Sequence, residues 1–276
     1  MEFQVRKPKT TLSQILTFLE LIYHSIVRDV RKSGGPNALL GLLSKMSTAI
    51  MFVGAFYVMF EVVGMRGAAL RGDYMLYIMS GILVFLVHTQ SMGAVFGSEG
   101  PTAPMMKHAP MNTMVAICSS ALSSLYTSIL TITVMLFTYH VAMRPLEISQ
   151  PMAALGMVFI AWFTGCSVGM LFLALKPWAP GVASTASTVY MRVNMIASGK
   201  MFVANTMPSF MIALFDWNPL FHVIDQIRGF VFINYNPHHT NVLYPLIIAG
   251  VLISLGLIGE HHTRKRASES WGTRTL

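Results

Sequence analysis

His222, Asp225 and Arg228 stand three residues apart in the stretch Trp217-Asn218-Pro219-Leu220-Phe221-His222-Val223-Ile224-Asp225-Gln226-Ile227-Arg228. At that spacing they drift slowly around one side of a helix and leave Leu220, Val223, Ile224 and Ile227 for the other. Asn218 followed by Pro219 signals a helix start. The Asn side chain accepts from a free backbone N–H, and Pro at the first helical position forfeits no hydrogen bond. Asn236-Pro237 ends this helix at the latest. A short amphipathic helix with a polar stripe, set before the last apolar run, fits a re-entrant or interfacial hairpin that a membrane bundle closes around.

Two cations lie inside another apolar run. Arg192 and Lys200 are eight residues apart, or about 80° around a helix. A cation at membrane depth must face a wet cavity, a carboxylate or a lipid phosphate. Lys200, near the end of the run, is read as snorkelling. Arg192 is expected either to snorkel or to face a transport route and attract an anionic headgroup. Other letters that resemble chemistry dissolve on inspection. Gly165-Cys166-Ser167-Val168-Gly169 spells a nucleophile elbow, but that motif needs a strand, a turn and a helix. Inside an apolar run, small residues packing on a neighbouring helix explain it better. His238-His239 and His261-His262 are adjacent pairs with no Cys or carboxylate cluster, so they read as solvated histidines. There is no HExxH and no Gly-rich phosphate loop. No catalytic or metal-ligating set is expected.

These residues need a membrane scaffold. The 276 residues are 54% hydrophobic and 11% charged, with a mean hydropathy of +0.59, whereas soluble domains carry about 25% charged residues. The sequence predicts an all-α integral membrane protein. Six apolar runs near spanning length lie at 39–62, 74–97, 113–139, 151–174, 183–205 and 242–260. Before them, Leu12, Ile15, Leu16, Leu19, Ile22 and Tyr23 begin a stripe that makes 11–32 a helix lying on the membrane. Its Glu20, His24, Arg28 and Asp29 make a span costly. The organisation expected is a cytoplasmic tail with this interface helix over 1–38, a six-span domain over 39–260 whose outer re-entrant segment is 206–241, and a basic cytoplasmic tail over 261–276. No cleavable signal peptide is expected, so the first span is its own insertion signal.

The net charge of +8 does not point to nucleic acid, because just over half of the basic residues sit in the tails. With six spans, twelve Lys and Arg fall on the side of the termini and four on the other, which makes both termini cytoplasmic. The spans carry no acidic residue away from their ends; Glu61 and Glu260 sit at termini. Ion-coupled carriers usually exchange their ion at a buried carboxylate, so uphill transport would draw its energy from elsewhere. Ser120, Ser124 and Ser128 recur every four residues and read as packing within the chain. The 22 methionines read as adaptable packing. Cys118 and Cys166 both lie in apolar runs and indicate no disulfide framework.

The Trp-Asn-Pro-Leu block with His222, Asp225 and Arg228, preceded by Met201-Phe202 and Met207-Pro208 and followed by a last span and a basic tail, resembles the membrane subunit of type-2 ABC exporters. The likeness is to the permeases for capsular polysaccharide and O-antigen export, which often have Glu where Asp225 stands. It implies a homodimer in a bacterial inner membrane, with two copies of a separate cytoplasmic ATPase that binds ATP and Mg. No cofactor is implied for this chain. It further implies that the interface helix and the 98–112 loop contact the ATPase, the loop acting as a coupling helix through Pro101, Pro104, Met105, Met106, Lys107 and His108. Trp217, Asn218, Pro219, His222, Asp225 and Arg228 would belong to an outer gate. Arg192, Lys200, Tyr57, Trp162 and Phe163 are candidates for a substrate path, the aromatic rings stacking on sugars; each ring has lipid as the alternative. Further export components of the envelope are implied as partners. The alternatives are an exporter of a drug, lipid or teichoic acid, and a membrane-embedded glycosyl- or acyltransferase. The latter needs a buried base, for which His88 is the mid-membrane candidate, although a satisfied packing histidine explains it better.

Overall fold

The computed structural model describes residues 20, 23–24, 38–63, 73–98 and 113–272. The expected surface helix over 11–32 lies outside them except for Glu20, Tyr23 and His24. The coupling residues Pro101, Pro104, Met105, Met106, Lys107 and His108 lie outside them too. The described chain is all helical, with no β-strand among the described residues. Its helices are α1 Ala38–Val63, α2 Tyr74–Phe96, α3 Thr113–Ala142, α4 Pro151–Leu175, α5 Pro180–Ala197, α6 Ser209–Phe215, α7 Pro219–Val231 and α8 Leu243–Gly272.

Four helices are long and apolar enough to cross a membrane: α2, α3, α4 and the Leu243–Thr263 part of α8. The first expected span coincides with α1, whose described apolar stretch, Ser47–Met59, is shorter than a membrane span. The last expected span is continuous with the expected tail, because α8 runs on to Gly272. Local chemistry sets the helix starts. The Asp73 carboxylate accepts from Met75 N at 3.0 Å, and Pro151 and Pro180 occupy first-turn positions of α4 and α5.

The fifth expected span does not reach residue 205. α5 is 18 residues long and stops at Ala197. The stop is Ser198-Gly199: Gly199 has φ +68°, the left-handed conformation that closes helices and that side chains with a Cβ resist. A Cβ there would stand 2.5 Å from Phe221 Cδ2. Gly199→Ala is therefore expected to lower stability by about 1–2 kcal/mol, read as a lower midpoint in thermal unfolding of the detergent-solubilised protein.

α4 is the central helix, packed on α2 along one side and on α8 along another. Gly165 and Gly169 make the α2 seam possible. A Cβ on Gly165 would lie 2.3 Å from His88 O, and one on Gly169 2.6 Å from Met92 O. The apparent nucleophile elbow is thus a small-xxx-small helix contact. Ser167 Oγ donates to Thr164 O at 2.8 Å, inside its own helix. On the α8 seam, Gly256 meets Met170 and Gly259 meets Ala174. Ser124 of α3 donates to Ser91 of α2 at 3.4 Å, so the serine row packs within the chain. Ile247, Val251, Leu255 and Ile258 leave an exposed apolar row on α8, the side a membrane would cover.

Candidate functional site: a buried polar clamp around α7

α7 begins as its sequence dictates. Asn218 caps it by accepting from Leu220 N at 3.0 Å. The same amide donates to Asn194 Oδ1 at 2.8 Å and to Ala197 O at 2.9 Å. One side chain therefore starts α7 and ties it to the end of α5. At its other end, Val231 O and Phe230 O accept from Ser149 N and Gln150 N at 3.1 and 2.8 Å. Those residues lead directly into α4.

The amphipathic helix with its polar stripe forms as α7, and it is buried on both sides. Leu220, Val223 and Ile224 are fully buried in the main core, and His222, Asp225 and Arg228 are buried as well. The polar stripe faces protein segments that lack regular structure, where backbone groups need partners. Arg228 does most for them. Its Nη1 donates to Gly199 O at 3.1 Å and also to Phe202 O, and its Nη2 donates to Lys200 O at 2.5 Å. The guanidinium lies 4.4 Å from the Tyr77 ring centroid. Gly81 leaves the space for this, since a Cβ there would meet Arg228 Nη2 and Lys200 O at 2.8 Å.

Asp225 turns to the opposite flank. Its carboxylate accepts from the Tyr235 hydroxyl, and from Thr240 Oγ1 at 2.8 Å. Gln226 Nε2 donates to Thr240 O at 2.8 Å. Burial and the adjacent Asp225 push the Tyr235 phenol well above its ordinary range, so it stays a neutral donor. His222 Nε2 lies 2.6 Å from Asp216 O, and its Nδ1 accepts from Asn241 N at 3.0 Å. A carbonyl accepts only, so Nε2 carries the proton and the ring is neutral. Gly229 admits the Pro237 ring where a Cβ would stand 2.6 Å from Pro237 Cδ.

A pH dependence follows from His222. Burial lowers its pKa below the ordinary 6.5. The folded state thus binds fewer protons than the unfolded one at acidic pH. Its stabilising effect is full above 6.5 and is lost as pH falls through the lower folded value. Unfolding midpoints of the wild type should fall between pH 7.5 and pH 5.5 by more than those of His222→Phe; equal slopes would remove His222 from the explanation.

The other candidates separate. Lys200 is past the end of α5, so its angular relation to Arg192 disappears. It does not snorkel: it is 2% exposed, and Nζ sits 3.6 Å from the Phe85 ring centroid and 5.3 Å from that of Phe56, with no hydrogen-bond partner. Arg192 is exposed on α5. Trp162 is half-buried and donates from Nε1 to Ala121 O at 2.8 Å, tying α4 to α3. Tyr57 is half-buried with its ring 6.2 Å from that of Tyr74, and Phe163 is half-buried on α4. Trp217 is exposed; its Nε1 donates to Leu214 O, and its carbonyl accepts from Tyr244 Oη at 2.7 Å. His88 bonds Thr164 Oγ1 and Tyr190 Oη, each at 3.0 Å, and is fully buried. Both ring nitrogens are engaged, as a packing histidine requires.

Sequence reasoning missed Tyr235, Thr240, Asn194 and Tyr77. Asn194 and Tyr77 lie on other helices, and Tyr235 and Thr240 are in a segment without periodicity. A buried carboxylate that must find donors was the one available signal. The cluster holds backbone segments together. Among the described residues no group of three His, Cys, Asp or Glu is placed to hold a metal ion. No protein-family model matches the chain, and comparison with curated proteins gives no match.

Proposed function

We propose that this chain is the membrane subunit of an ATP-driven exporter in a bacterial inner membrane, moving a lipid-linked or polymeric polysaccharide of capsule or O-antigen type. The observation that carries the reading is the Trp217–Arg228 block, whose polar residues hold a buried half-length helix inside an apolar helical bundle. A half-length helix of this kind, with irregular backbone tied to it by Asn218, Asp225 and Arg228, suits a re-entrant hairpin gating a six-span bundle. In this reading both termini are cytoplasmic, two copies form the route, and two copies of a partner ATPase supply the energy. ATP closes the ATPase dimer, the 98–112 loop transmits the motion, and the hairpins shift as units so that the glycan threads outward.

The test is immunodetection of surface polysaccharide on intact and lysed cells after deletion of the gene. Polymer absent outside and accumulated inside is the expected result. Normal polymer outside would refute the substrate class. Polymer absent from both places would favour an embedded transferase.

A further inference from the structure

We propose that the chain carries a binding site for one zwitterionic aminophospholipid, of the phosphatidylethanolamine class, at the end of the bundle bearing the α3–α4 connection. Two cavities meet there. The first is an apolar groove of about 390 Å³, lined among others by Leu83 of α2, Leu136 of α3, Leu155 of α4 and Ile227 of α7. The second is a cleft of about 520 Å³ lined by Asp73, Tyr139, Arg144, Glu147 and Asn234. Leu76, Ile148 and Val231 line both, so the two spaces adjoin.

Their stacking matches a lipid. The groove runs beside three membrane-length helices, α2, α3 and α4. The cleft lies where α2 and α4 begin and α3 ends, the level at which headgroups sit. Its charges select among headgroups. Arg144 and Glu147 are exposed, three residues apart on the α3–α4 connection, and neither is in an ion pair among the described residues. Asp73 is already engaged by Met75 N and the Tyr139 hydroxyl. Among the described residues the cleft thus offers one cation and one carboxylate that are in no ion pair. A phosphodiester carrying a primary ammonium complements both: phosphate to Arg144, ammonium to Glu147. An anionic headgroup would place its phosphate on Arg144 but leave Glu147 without a counter-charge, and a quaternary ammonium has no N–H to donate.

The experiment is native mass spectrometry of the full-length detergent-solubilised protein, with phosphatidylethanolamine, phosphatidylcholine and phosphatidylglycerol of identical acyl chains. Phosphatidylethanolamine should be retained at one site about tenfold more than the others, and Arg144→Gln or Glu147→Gln should abolish that preference. Leu155 is 40% exposed on the groove wall; Leu155→Trp should fill the groove and lower retention of all three lipids. Equal retention of the three lipids by wild type, or an unchanged preference in Arg144→Gln, overturns the assignment. Dissociation of a dimer by Leu155→Trp with bound lipid unchanged would overturn it in favour of a second copy of the chain.

Discussion

Arg228→Met should unseat the segment that follows α5. The guanidinium serves three carbonyls, those of Gly199, Lys200 and Phe202, in a stretch with no ladder of its own. Arg228 is 1% exposed, so water cannot replace it. Losing it leaves buried acceptors unpaired, at an expected cost of about 3–5 kcal/mol. Arg228→Lys should recover less than half of this, because one ammonium on a shorter reach cannot copy a planar fork. The measurement is thermal unfolding in detergent together with limited proteolysis between residues 198 and 207. The variants should melt in the order Met, Lys, wild type, with faster cleavage after α5. Wild-type melting and cleavage in Arg228→Met would show that the carbonyls find other donors. In the exporter reading the same variant should stop export even where it inserts, since the hairpin would no longer move with α5.

The second large effect is expected at the α2–α4 seam. Gly165→Leu puts a branched side chain where even a Cβ would be 2.3 Å from His88 O. The obstacle is backbone, so no rotamer change relieves it, and the helices must separate. Separation would also stretch the chain of bonds from Thr164 of α4 through His88 of α2 to Tyr190 of α5. A loss of about 2–3 kcal/mol or more is expected, with Gly165→Ala intermediate. Gly156 of the same helix supplies the control: nothing lies within 4 Å of its Cβ position. Gly156→Ala should be neutral or stabilising by roughly 0.5–1 kcal/mol. Equal melting of the Gly165 and Gly156 variants would mean that the two helices are free to separate at this point.

Composition and apolar run length were enough to determine that the chain is helical and suited to a membrane. They placed α2, α3 and α4 within a few residues, because a run without charge has few alternatives in lipid. They also marked the start of α7, since Asn218-Pro219 acts through its own backbone. The small residues Gly165 and Gly169 were legible as packing, although the partner was not. Tertiary structure decided the rest. The expected fifth span read across Ser198-Gly199, because apolar content continues past a stop that depends on one backbone dihedral. The stripe of His222, Asp225 and Arg228 was legible as a stripe but its partners were not, because helical spacing reports which residues share a side and not what covers that side. Lys200 looked like a snorkelling cation until the end of α5 turned it between Phe85 and Phe56. The donors that satisfy Asp225 come from Tyr235 and Thr240, ten and fifteen residues on, brought back by the turn at 233–234 and the bend at 238–239. Such pairings arise from the path of the chain in three dimensions, and no periodicity along it encodes them.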